Sequence, residues 1–92
     1  MAGRAKIHRP FPDSHPEVWS FFCPGCACDH HVRIEPGRWS LTGTPECPTI
    51  RPSVMCGPRV CHLFVTNGTL EYLADSQHGL SGKTIPMEDS RK

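Results

Sequence analysis

Apolar and polar residues alternate with a period of two in several short stretches of this chain, and no segment sustains a helical period. In residues 17–23, EVWSFFC, the alternation places Val18, Ser20 and Phe22 on one face and Trp19, Phe21 and Cys23 on the other, as a strand would. Residues 31–35, HVRIE, read as a second strand running into Pro36-Gly37. That pair suits the centre of a type II turn, because proline fixes the first dihedral and glycine accepts the positive one. The chain then returns through residues 38–41. The clearest local signal is Asn67-Gly68 between CHLFVT and TLEYL, since both central residues of a type I' hairpin turn need positive φ. That turn sets the register: Thr66 faces Thr69, Val65 faces Leu70, Leu63 faces Tyr72 and Cys61 faces Ala74. Cys61 and His62 therefore point to opposite faces. Residues 42–59 are rich in glycine and proline and read as one long loop, with Ile50 and Val54-Met55 as a short edge pairing. After the hairpin, Asp75-Ser76-Gln77-His78 leads to a turn bracketed by Gly79 and Gly82, and Thr84-Ile85 forms a last apolar pair.

The chain has 92 residues and a mass of 10.2 kDa. A domain of this size buries only about 60% of the surface its unfolded chain exposes, so it needs a staple. Six cysteines and six histidines offer one. The longest apolar stretch, around residues 18–23, is broken by Ser20 and is too short to span a bilayer. Residues 1–17 contain no apolar run of the secretory kind. The expected location is therefore the cytoplasm, where thiols stay reduced and a Cys/His set points to metal rather than disulfides.

Cys23-Pro24-Gly25-Cys26 is a C-x2-C knuckle whose bend can turn both sulfurs toward one ion. A redox motif of the same spacing would open a helix, whereas this one leads toward a strand. A retroviral-type knuckle fails because position 36 is proline. The remaining ligands are sought farther along the chain: Cys61 from the opening of the hairpin and His78 from the turn after it, with His30 and His62 as secondary candidates. Cys61 is preferred to His62, because thiolates suit a structural zinc and the two residues face opposite ways. Closing Cys26 to Cys61 ties off a loop of roughly 35 residues, a useful cross-link for so small a core. Cys47 and Cys56 lie in the proline-rich loop without partner spacing and Cys28 alternates away from Cys26, so none of the three is read as a ligand. The expected fold is mainly β, a small zinc-stapled domain of β-hairpins resembling a zinc ribbon, with long Pro/Gly-rich loops. The domain is placed at residues 17–86, after a flexible basic arm (1–16) and before a polar tail (87–92).

Formal net charge is only +1. Residues 17–86 carry five basic against six acidic side chains, whereas residues 1–12 hold Arg4, Lys6, His8 and Arg9 with no acid. Nucleic-acid binding is therefore confined to residues 1–16 as an alternative. Arg33, Arg38, Arg51 and Arg59 are too scattered to predict an anion-binding strip, and Trp19, Trp39, Phe21 and Phe22 are needed in the core.

An ordered set of motifs adds to this reading: Phe22-Cys23-Pro24-Gly25-Cys26 with His30, Trp39, Pro48-Thr49-Ile50-Arg51-Pro52-Ser53, Cys61-His62-Leu63-Phe64-Val65 with Gly68, and Asp75, His78, Gly79, Leu80 and Gly82. Over about residues 17–88 the chain resembles a family of small phage and prophage proteins with CPxC, PTxxPS, CHxF and DxxHxLxG motifs, some labelled "ammonia monooxygenase". That label conflicts with the sequence, since ammonia monooxygenase is a membrane copper enzyme. The resemblance implies a phage origin and an ordered Cys/His set consistent with a metal site. Ser76 stands where a cysteine is frequent in that family, which argues against position 76 as an obligatory ligand.

Three functions compete at this level. The leading expectation is a non-enzymatic zinc-binding protein, with Cys23, Cys26, Cys61 and His78 closing the site, that acts by binding a host or phage protein. The second is a metal-dependent hydrolase with an open site of His30, His62 and His78, in which Asp75 orients a histidine or serves as general base. The third is a nucleic-acid binder using the basic arm. No catalytic residue is assigned by spacing alone.

Overall fold

The computed structural model describes residues 5–56 and 61–89, and contains seven strands and no helix among them. β1 (Val18–Cys23) and β2 (Cys28–Arg33) form an antiparallel hairpin in full register from Val18↔Arg33 to Cys23↔Cys28. β3 (Ser40–Thr44), β4 (Cys47–Cys56), β5 (Cys61–Thr66), β6 (Thr69–Tyr72) and β7 (Thr84–Pro86) form a second, five-stranded antiparallel meander in chain order. The mainly β fold built of hairpins is thus as the sequence reads.

Local chemistry explains the turns. Gly37 has φ +81° and the Arg38 N–H donates to Glu35 O at 3.0 Å, as a type II turn requires. Asn67 (φ +48°) and Gly68 (φ +77°) form the two-residue hairpin turn, and the ladder pairs Thr66↔Thr69, Val65↔Leu70 and Leu63↔Tyr72. The pairing stops at Tyr72, so Cys61 has no partner at Ala74; the Leu73 N–H donates instead to His62 O at 2.8 Å.

Two stretches of the chain depart from the sequence reading. β2 begins at Cys28, three residues earlier than the alternation indicated, because Ala27 takes a left-handed conformation (φ +57°) that closes the knuckle at once. The stretch read as one long loop is instead β3 and β4, and the ten-residue β4 lies between β3 and β5. Its prolines are accommodated in the ladder: Pro48 pairs with Gly43, and Pro52 sits in an irregularity between Ile50↔Val65 and Val54↔Leu63. There Arg51, Pro52 and Ser53 oppose Phe64 alone, a bulge that bends β4 and re-aims its side chains.

The inward faces of both sheets share one core. Phe21, Cys23 and Val32 come from the hairpin, and Ile50, Val54, Cys61, Leu63, Val65, Leu70 and Tyr72 from the meander. β5 shows the alternation most cleanly, with Cys61, Leu63 and Val65 buried and His62, Phe64 and Thr66 half-exposed. Residues 5–16, read as an arm outside the domain, run against it. Ile7 is buried in the core, His8 bridges Ser20, and Lys6 pairs with Asp89 at 2.8 Å. Arg4, Arg59, the Cys56 side chain and residues 90–92 lie outside the described residues.

Candidate functional site: two faces of one strand

The buried face of β5 carries a cluster of soft donors. Cys23 closes β1, Cys26 ends the knuckle, His30 lies on β2 and Cys61 opens β5. Their ligand atoms all lie within 4.8 Å of one another, so the group could hold a metal ion. Cys23 Sγ and Cys61 Sγ are 3.8 Å apart. Two sulfurs each about 2.3 Å from a tetrahedral ion would be separated by roughly the same distance. His30 is 3% exposed, and its Nε2 is buried with no hydrogen-bond partner. A buried ring nitrogen of this kind calls for a partner that is not a protein atom.

The other sequence-derived candidates are placed differently. His78 Nε2 lies 3.3 Å from Cys61 Sγ, but its Nδ1 accepts the Leu80 N–H at 3.2 Å. With Nδ1 an acceptor, the proton sits on Nε2, which donates to the Cys61 sulfur and has no lone pair free for an ion. The ring stands edge-on to Tyr72 and presses on the knuckle so closely that a Cβ at Gly25 would collide with it. That contact gives a reason for the glycine inside the C-x2-C. Cys28 and Cys47 are exposed and outside the cluster.

The thiols are electrostatically unequal. Burial pushes the Cys23 thiol up, but the nearby His30 ring, the Tyr72 hydroxyl and the Cys26 backbone outweigh it and bring the pKa to about 6. The Tyr72 hydroxyl lies 2.9 Å from Cys23 Sγ. Burial raises the Cys61 thiol well above its ordinary value, and the neighbouring sulfurs of Cys26 and Cys23 add to it; Cys26 is raised chiefly by burial. Each is a penalty on crowded thiolates that a cation would relieve.

The opposite face carries a second constellation. His62, one residue along from Cys61, turns outward, and its Nε2 is 2.8 Å from Ser53 Oγ. Its Nδ1 is 3.1 Å from Asp75 Oδ2 and 3.3 Å from Oδ1. An ionised carboxylate can only accept, so Nδ1 carries the proton and Nε2 is left to accept the Ser53 hydroxyl. Ser53 reaches this position from the bulge of β4, and Asp75 from the turn after β6. Buried Ser76 locks that turn to the strand: its Oγ accepts the His62 N–H at 3.0 Å and donates to His62 O at 2.8 Å. The Trp39 Nε1–H donates to Ser53 O at 3.2 Å and pins the Ser53 backbone.

Sequence reasoning noticed His62 and Asp75 but missed Ser53. The available signal was the joint presence of PTxxPS, CHxF and DxxH, one serine, one histidine and one aspartate in ordered motifs. The scattered arginines make no anion-binding strip among the described residues: Arg33 pairs with Glu17, Arg38 with Glu35, and Arg51 bonds the sheet backbone.

A family model described as bacterial ubiquitination-like system serine protease (BubE) matches residues 4–73. The match includes Ser53, His62 and all four clustered donors, and ends two residues before Asp75. No curated protein and no solved structure matches the chain. No helix of the described residues is long and apolar enough to cross a membrane.

Proposed function

The chain belongs to the BubE family, and from that premise we propose that it is a serine protease of a bacterial ubiquitination-like system, with Ser53, His62 and Asp75 as its catalytic triad. The observation that carries the proposal is the unbroken relay from Ser53 Oγ through His62 Nε2 and Nδ1 to the Asp75 carboxylate, with links of 2.8 and 3.1 Å. A serine hydroxyl is a weak nucleophile until a base takes its proton, and a third group must fix the base in the right tautomer. All three roles are filled on the open face of one sheet.

In the reaction, Ser53 Oγ attacks the carbonyl carbon of the scissile amide while His62 Nε2 takes its proton. Asp75 stabilises the resulting imidazolium. His62 then hands the proton to the leaving amine, and the acyl group stays on Ser53 as an ester. Water, deprotonated by His62, attacks that ester and restores the serine. The His-rich hydrolase considered from sequence would need His62 at the metal, whereas here its two ring nitrogens face Ser53 and Asp75.

The ion itself belongs to the other face. Cys23, Cys26, His30 and Cys61 are the four donors we assign to it, and a set of three sulfurs and one imidazole suits zinc in a closed, structural site. Its part is to hold the knuckle, β2 and β5 together; no step of the reaction passes through it. The protein partner anticipated from sequence becomes, in this reading, the substrate.

The test is covalent labelling with a fluorophosphonate, which reacts with an activated serine whatever its substrate. Wild-type protein should be modified once, with the adduct mapping to Ser53 by peptide mass spectrometry. Ser53→Ala should not label, while keeping its circular dichroism and its metal. A folded, metal-loaded wild type that leaves Ser53 unmodified would overturn the proposal.

A further inference from the structure

Beside Ser53 the sheet leaves an open groove of about 900 Å³ whose walls include Ile34, Trp39, Leu41, Pro52 and Phe64. We propose, resting on the protease reading above, that this groove is the specificity subsite and takes a large apolar side chain, leucine-like or aromatic, of a residue next to the scissile bond.

Three observations lead there. The groove runs up to the neighbours of the nucleophile: Pro52, which precedes Ser53 in the chain, and Trp39, which bonds Ser53 O, both line it. Phe64 stands two residues from His62 on the same face of β5, so the groove and the base open on the same side of the strand. Finally, the charges in the lining are already used. Arg51 donates to Ile50 O and Val65 O through Nη1, and to Thr66 Oγ1 through Nη2, each at 2.9 Å. Its guanidinium lies 4.8 Å over the Phe64 ring, where it extends the flat wall. Arg38 at the rim faces Glu35 at 3.8 Å. A groove whose cations are spent in this way selects by apolar area rather than charge.

Two fluorogenic peptide panels test the subsite, one varying the residue on each side of the cleaved bond through Ala, Leu, Phe, Asp and Lys. The fluorophosphonate serves as a side-chain-free control for a competent Ser53. At one of the two positions, kcat/KM for Leu or Phe should exceed that for Ala by at least about tenfold. Leu41→Ala and Phe64→Ala, two independent truncations of the walls, should bring that ratio down toward one. A wild-type protein that labels at Ser53 yet cleaves all residues alike, or prefers Asp or Lys, overturns the subsite and leaves the protease standing. Failure to label Ser53 overturns both.

Discussion

Cys61 and His62 are neighbours in the chain, and the two faces of β5 they occupy present opposite environments. On the inner face three thiols and an imidazole crowd together, and Cys23 and Cys61 are fully buried. Burial there raises the cost of every unshared charge, which makes a soft cation the natural occupant. On the outer face His62 keeps a fifth of its side-chain surface exposed and Asp75 more than half, so the constellation is open to solvent. The contrast shows how a very small fold can separate stability from reactivity: one residue step along a strand reverses the side-chain direction.

The faces are also coupled. The segment after β6 supplies Asp75 to the outer side and, three residues later, His78 to the inner side, where it donates to Cys61. Ser76 between them bonds the His62 backbone. Losing the ion should therefore disturb the triad, while losing the triad should leave the ion in place.

The largest effect expected from breaking that comparison is on the inner side. His30→Ala should lose the metal and most of the folded signal, because structural sites of this kind supply much of a small domain's stability. His78→Ala should keep the metal and bind it about 10–100-fold more weakly, as removal of an outer hydrogen-bond donor does. Competition with a chromophoric chelator separates the two, and the reverse ranking would exchange the assigned roles.

Asp75→Asn addresses the outer side alone. It should retain metal and melting temperature but lower kcat by about a hundredfold or more, since the amide no longer holds the Nδ1–H tautomer. An unchanged kcat would remove Asp75 from the triad. Ser76→Ala should give the smallest change: about 1–2 kcal/mol of stability from the His62 N–H left without its partner, with kcat reduced several-fold at constant metal content. Denaturant unfolding and steady-state rates read the two quantities.

Much of the inner face is legible in the sequence. A C-x2-C with Pro and Gly announces its own geometry, and Asn67-Gly68 fixes the register that turns Cys61 inward and His62 outward. The choice between His30 and His78 is not legible, because it depends on which ring nitrogen accepts a hydrogen bond from Leu80, a tertiary detail. The outer face is harder still. Ser53 comes within reach of His62 only because β4 is a strand, and its two prolines, with more prolines and glycines flanking it, speak against one at the level of local propensity. Pairing on both sides of β4 overrides that propensity, and the bulge at residues 51–53 sets the diagonal between Ser53 and His62. No spacing rule encodes such a contact.

The central claim is that the buried metal cluster holds the triad in register. Its most direct test is the rate of Ser53 modification by a fluorophosphonate in metal-loaded protein, in protein stripped by a chelator, and after zinc is restored. The account predicts a fall of at least about a hundredfold on stripping, the scale on which catalytic groups respond to displacements near 1 Å, and recovery with zinc. Stripped protein that labels Ser53 as fast as the loaded form would contradict it.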